Sequence, residues 1–212
     1  MAKVLVVGAS RGIGLETVKC ALEAGHKVRG LSRSVAISVS HPDLEKIAGN
    51  ALDASTIKHA LAGVDVVIQT LGVDFSPDAI FRGTQLFSVA TRVLVTAMEE
   101  AGVRRLICVT GLGAGDSRNK GGFLYDMAFH LFVGRVYSDK DAQEWIIRKS
   151  SLDWVIARPA VLTNGPRTGT YRVLVHPQEW RSGFISRADV ADFLVKQIDD
   201  NTLIGKTPVL IG

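Results

Sequence analysis

Gly8, Gly12 and Gly14 stand in the spacing G-x-x-x-G-x-G within "KVLVVGASRGIG", after an apolar run and before a helical pattern. Glycine at the first position permits a tight turn. At the second it lets the backbone approach a pyrophosphate, and at the third it lets a helix pack closely on a strand. The start of that helix offers unpaired N–H groups and a partial positive charge to phosphate oxygens. The same glycines could serve only to turn a strand into a helix. The strand before them, the amphipathic helix after them and a second strand at the βαβ distance favour dinucleotide binding.

The end of the second strand bears on which dinucleotide. A carboxylate there would accept hydrogen bonds from a ribose 2′-hydroxyl, but "LSRS" (Leu31 to Ser34) contains none. Arg33 stands there instead, and Arg11 lies inside the glycine loop. Guanidinium groups make bidentate, charge-assisted contacts with phosphate. Two of them near the 2′ position point to NADP(H) rather than NAD(H). The alternative is a pair of solvated surface arginines.

The elements that must position these residues alternate along the chain. "KVLVV" (Lys3 to Val7) is a continuous apolar run, as expected of a strand buried on both faces. Leu15, Val18, Ala21 and Leu22 recur at helical spacing, with Gly25 as the stop. Further strands are predicted at His26 to Arg33, Lys46 to Gly49, Val64 to Gly72, Arg104 to Gly111 and Leu152 to Ala160. Between them fall a short helix capped by Ala54 or Ser55, a long helix over Gln85 to Ala101 and a helical tract from about Phe123 to Lys149. "TYRVLV", "SGFIS", "RADVADFLVKQIDD" and "PVLIG" read as short strands around a last helix. Repeated strand–helix units with short connections require a parallel sheet with helices on both faces. The expectation is an α/β, doubly wound Rossmann fold, mostly parallel, forming one domain over residues 1–212 with a small C-terminal substrate-covering region.

Composition narrows the function classes. The chain has 212 residues, 47% hydrophobic and 22% charged, enough for one good-sized core. No apolar run is long enough to span a membrane, so no membrane partner is expected. "MAKVLVVG" enters a strand at once, without the pattern of a secretory signal, and a cytoplasmic location is expected. The net charge of +4 is spread through the chain. The nearest basic cluster is only "GVRRL", so no nucleic-acid partner is expected, and an anionic small ligand accounts for the surplus equally well. Cys20 and Cys108 read as reduced core residues. His41, His59 and His176 lack ligands at metal-binding spacing, so no metal is expected.

"VVGASRGIG" resembles the cofactor loop of the short-chain dehydrogenase/reductases, and "NALDAS" resembles their Asp-containing turn against adenine. "SDKDAQEWIIRKSSLDWVIARPAVLTNGP", "RTGTYRVL" and "FISRADVADFLV" resemble the atypical branch, with its NAD(P)H-binding, NmrA-like and biliverdin-IXβ/flavin-reductase-like members. The resemblance covers nearly the whole chain. It implies that Gly8, Ser10, Arg11, Gly12, Ile13 and Gly14 hold the pyrophosphate and nearby ribose, that Arg33 binds the 2′-phosphate, and that Asp53 and Ala54 contact adenine. Leu71 and Gly72 would pass beneath the cofactor, while Thr110 and Pro159, Ala160 and Val161 would flank the nicotinamide.

Departures from that pattern concern the chemistry. Conventional members use Tyr-x-x-x-Lys as acid/base, whereas Lys140 has Val136 four residues before it. Tyr137 is three before, displaced by about 100° around the helix. Val161 stands where a subgroup has histidine. Thr110, Tyr137 and Lys140 are therefore the catalytic candidates, with Lys140 favoured as a ribose ligand and a solvated helix face as its alternative. Tyr125 and His130, in the same helical tract, read as packed or interface residues. The expected function is an NADP(H)-dependent oxidoreductase acting on a small apolar or conjugated acceptor. The alternatives are a non-catalytic NmrA-like redox-sensing module and, more weakly, a nucleoside-sugar epimerase or dehydratase. Monomer and homodimer both remain open.

Overall fold

The computed structural model describes residues 1–34, 36–72, 85–118 and 134–212, the side chains of 134–137 excepted. The chain alternates strand and helix from its first residues: β1 (Lys3–Val7), α1 (Gly12–Glu23), β2 (Lys27–Ser32), β3 (Leu44–Ala48), α2 (Ala54–Leu61) and β4 (Val66–Gln69). Then follow α3 (Leu86–Ala101), β5 (Arg105–Val109), α4 (Gly134–Lys149), β6 (Asp153–Pro159) and β7 (Val161–Thr163). The chain closes with β8 (Arg172–Leu174), β9 (Phe184–Ser186), α5 (Arg187–Lys196) and β10 (Val209–Ile211).

An eight-stranded sheet has the order β3-β2-β1-β4-β5-β6-β10-β8, and β7 and β9 form a separate two-stranded sheet. Every pairing in the large sheet is parallel except β10 with β8. β1 lies in the middle, with Val4 opposite Val28 on one side and Val66 on the other. A central parallel strand covered on both faces must be apolar at every position, and Val4 through Val7 are at most 1% exposed.

Alternation along the strands sorts the core into two layers. Val4, Val6, Ile68, Ile107 and Val155 face α1 and α5, where they meet Val18, Ala21, Val190 and Leu194. Leu5, Val7, Val67, Leu106 and Ile156 face α2, α3 and α4, where they meet Ile57, Leu94, Met98 and Ile147. The doubly wound expectation is thus realised. At the C-terminal end the sequence pattern is less informative: β8 and β10 extend the main sheet, whereas β7, paired with β9, and the start of α5 line the cleft described below.

One local detail differs from the sequence expectation. The cap of α2 is Asp53, not Ala54 or Ser55. Its carboxylate accepts from the N–H groups of Ser55 and Thr56 at 3.4 and 2.9 Å, which alanine could not do. Hydrogen bonds from the hydroxyls and N–H groups of Ser55 and Thr56 hold the Asp53 carboxyl well below the usual carboxylate range. The long helical tract is a helix over Gly134–Lys149, and its earlier part, with Tyr125 and His130, lies outside the described residues. Among the described residues no helix is long and apolar enough to cross a membrane.

Candidate functional site

The carboxyl ends of the parallel strands open onto one cleft of about 840 Å³. This is where an open α/β sheet leaves room for a ligand, because the chain departs to opposite faces from neighbouring strands. The glycine loop forms its floor. Gly8 and Ala9 donate backbone hydrogen bonds to Leu31 O at 2.9 and 3.1 Å, which ties the loop to the end of β2. Thr70 fastens the other side, its hydroxyl donating to Val7 O at 3.0 Å.

Gly14 is required by space. A Cβ there would lie 2.0 Å from Gly8 O and 2.7 Å from Thr70 Oγ1. Gly12 is required by conformation, with φ +56°, in the left-handed region that L side chains rarely adopt. The resulting helix start is unusual for this chain. Arg11 is the N-cap of α1, makes no side-chain capping bond, and no acidic residue follows in the first turn. By contrast Asp53 caps α2, Ser186 caps α5, and Asp139 of α4 accepts from the N–H groups of Phe87 and Ser88 at the start of α3. Among the described residues no side-chain cap is seen at the start of α1, an arrangement whose N–H groups suit an anion. These features fit a dinucleotide phosphate.

From this turn the cleft runs in two directions. Toward β2 it is bounded by Ser32, the exposed Arg33 and the Gly49–Asn50–Ala51 turn. Toward β5 and β6 it is bounded by Leu71, Phe87, Thr110, Lys140, Pro159 and Ala160. The ammonium of Lys140 donates to Thr110 O and lies 5.1 Å from the Phe87 ring centre. Part of the side chain stays accessible, yet burial of its charged end lowers its pKa to about 8, against the pull of Cys108 and Glu144.

Beneath that end lies a buried charge cluster. The Thr110 hydroxyl donates to Glu144 Oε1 at 2.8 Å. Arg158 grips the same carboxylate with two bonds, Nε to Oε1 at 2.9 Å and Nη2 to Oε2 at 2.6 Å. Its Nη2 also reaches Asp116 Oδ1 at 2.5 Å, and its guanidinium lies over the Trp180 ring at 5.0 Å. Asp116 is pushed up by burial but more strongly held down by Arg158 and Arg148, so its carboxyl lies below the usual range. Arg158 is fully buried and Glu144 is 1% exposed.

Asp139, Lys140, Gln143 and Glu144 thus form one inward face of α4, at the spacing that places residues on one side of a helix. Gln143 completes it, donating to Cys108 Sγ at 3.2 Å.

The model of a NAD(P)H-binding family matches residues 8–201. The chain belongs to that family.

The NAD(P)H-binding assignment agrees with similarity to known proteins. A solved structure of ChuY, described as an anaerobillin reductase from Escherichia coli O157:H7, shares 28% identity at a TM-score of 0.78, covering 99% of this chain and 96% of that one. An uncharacterized sugar epimerase, YhfK of Bacillus subtilis, is 29% identical over 93% of this chain and 88% of its own length. A 3-beta-hydroxysteroid dehydrogenase of Mycolicibacterium neoaurum is 25% identical over 100% of this chain, which spans only 55% of that relative.

Within this NAD(P)H-binding chain, Gly8, Ser10, Arg11, Gly12, Ile13, Arg33, Leu71, Gly72, Thr110, Lys140, Pro159 and Ala160 all line the cleft. Gly14 is buried under the loop and acts by packing. Asp53 and Ala54 are not among the lining residues; Asn50 and Ala51, just before them, are. Val161 does not line it either, and its neighbour Leu162 does, because successive residues of β7 face opposite ways. The side chain of Tyr137 lies outside the described residues. Sequence reasoning missed Glu144, Arg158, Phe87, Asn164 and Arg187. The only sequence signal for the first two was a carboxylate and an arginine inside segments otherwise expected to be solvated or apolar.

Proposed function

We propose that this protein is an NADP(H)-dependent reductase acting on a small apolar or conjugated acceptor. The observation that carries this reading is the uncapped start of α1, opening into a cleft with Arg11 and Arg33 on one side and Thr110 and Lys140 on the other. When bound, the nicotinamide supplies the hydride. Arg33 and Arg11 hold the 2′-phosphate, and the α1 N–H groups hold the pyrophosphate. Lys140 anchors the ribose beside the nicotinamide. Leu86, Phe87, Pro159 and Leu162 give the acceptor an apolar wall that excludes water. The reductase name of the similar ChuY supports the same class of reaction.

Replacing Arg33 by alanine is expected to weaken NADPH about tenfold or more, the scale of one charge-assisted contact, while NADH changes little. Isothermal titration with both nucleotides checks this, and equal losses would remove the 2′-phosphate assignment. Lys140 adds a pH dependence. Its ammonium is charged below about pH 8 and neutral above it, so NADPH affinity is expected to fall as pH rises through about 8. Lys140→Met should bind more weakly below pH 8 and lose that alkaline limb; an unchanged limb would assign it to another group.

Catalysis is tested by stopped-flow oxidation of NADPH with quinones, flavins, carbonyl compounds and anaerobillin. A specific observation keeps the non-catalytic reading in play: the Thr110 hydroxyl proton is already donated to Glu144. Complete inertness with proven NADPH binding would favour a module that reports redox state to a partner.

A further inference from the structure

We propose that Arg187 is a second phosphate-binding residue, which grips the pyrophosphate from the C-terminal part of the chain. This rests on the dinucleotide reading above and adds to it a residue outside the glycine loop. Arg187 opens α5 as Gly12 opens α1, and the two helices pack against each other. A Cβ on Gly12 would meet Arg187 Nε at 3.8 Å and Cδ at 3.9 Å. The guanidinium thus stands over the turn, on the side left open by the missing Gly12 side chain, and it lines the cleft.

Its orientation is held by neutral groups. Nη1 donates to Thr163 O at 3.1 Å and to Asn164 Oδ1 at 2.7 Å. Among the described residues Nε and Nη2 make no hydrogen bond and the guanidinium makes no ion pair. The nearby carboxylates are engaged elsewhere: Glu16 with Lys19 at 2.8 Å, Glu23 with Arg167 at 2.9 Å. Asp189 Oδ1 accepts from the N–H groups of Thr168 and Gly169 at 2.7 and 2.9 Å, and its Oδ2 accepts from the Ser186 hydroxyl at 2.8 Å. What remains is the Nε–Nη2 edge, two parallel N–H donors that match two oxygens of one phosphate. Its position beside the first residue of α1 assigns it to the pyrophosphate, which NADPH and NADH share, and not to the 2′-phosphate.

The test is isothermal titration of Arg187→Met and Arg187→Lys with NADPH and NADH, with 2′-AMP measured by competition and thermal unfolding as the check on folding. Arg187→Met is expected to weaken NADPH and NADH by the same factor, about tenfold or more, and to leave 2′-AMP unchanged. Arg187→Lys keeps the charge without the fork and should fall between. Should Arg187→Met fail to fold, the same comparison is made with Arg187→Lys. Wild-type affinity in the variants, or a loss confined to NADPH and 2′-AMP, would overturn the assignment. Failure of the unsubstituted protein to bind either dinucleotide would overturn the dinucleotide reading and the Arg187 role with it.

Discussion

Gly14→Ala is expected to remove dinucleotide binding and to lower the melting temperature by several degrees. The new Cβ would lie 2.0 Å from Gly8 O and 2.8 Å from Gly8 C. Neither is the end of a flexible side chain that could step aside. Either α1 moves away from the sheet or the loop from Gly8 to Gly12 is displaced. Overpacking of this kind costs about 1–3 kcal/mol, and for a chain of this size about 2–4 °C accompanies each kcal/mol. Binding suffers more than stability, because the N–H groups of α1 and the backbone at Gly12 must converge on the same phosphate. Gly25→Ala is an informative control. Gly25 has φ +80° and nothing within 4 Å of its Cβ position, so an alanine there introduces backbone strain without touching the cleft. If Gly14→Ala binds NADPH as the parent does, the glycine loop is not the phosphate cradle.

Arg158→Met is expected to be the most destabilising single change outside the apolar core. Breaking a buried ion pair by removing one partner costs about 3–5 kcal/mol, since the other charge stays buried. Among the described residues Glu144 would keep only the Thr110 hydroxyl at 2.8 Å and Arg148 at 3.5 Å. The melting temperature should fall by roughly 6–20 °C. Replacing both partners, in Arg158→Met with Glu144→Leu, should recover much of that loss, because an apolar pair leaves no charge to desolvate. Thermal unfolding of the two single variants and the double variant forms a mutant cycle. Additive losses would mean that the two side chains do not stabilise each other. The pair also bears on the site, since Glu144 fixes the Thr110 hydroxyl whose carbonyl holds Lys140. Nucleotide binding in the double variant should therefore be weaker than its stability suggests.

The pairing of strands with helices, and most of the cleft floor, were legible without coordinates. "KVLVV", "VDVVIQT" and "RRLICV" read as buried strands because a central parallel strand leaves no face for polar residues. The glycine loop announced its cleft because turn geometry, close packing and phosphate approach each demand glycine at a fixed place. The inward face of α4 was not legible. "SDKDAQE" has the polarity of a solvated surface, yet Asp139 caps α3, Gln143 meets Cys108, and Glu144 is sealed beneath Thr110. Asp53, an adenine contact through resemblance, has its carboxylate on the N-terminus of α2, a role its sequence position did not show. The adjacent turn at Asn50 and Ala51 lines the cleft wall.

The sequence by itself determined the order of elements through β6, the two-layer core, the glycine turn and the arginine at the end of β2. Each of these depends on residues close together in the chain, through local periodicity or a turn that only certain residues can make. Tertiary structure alone decided that Arg158 reaches Glu144, that Lys140 comes to rest on Thr110, and that Arg187 arches over Gly12. A buried charge is tolerable only with its partner beside it, and that partner comes from a segment whose distance along the chain carries no periodic mark.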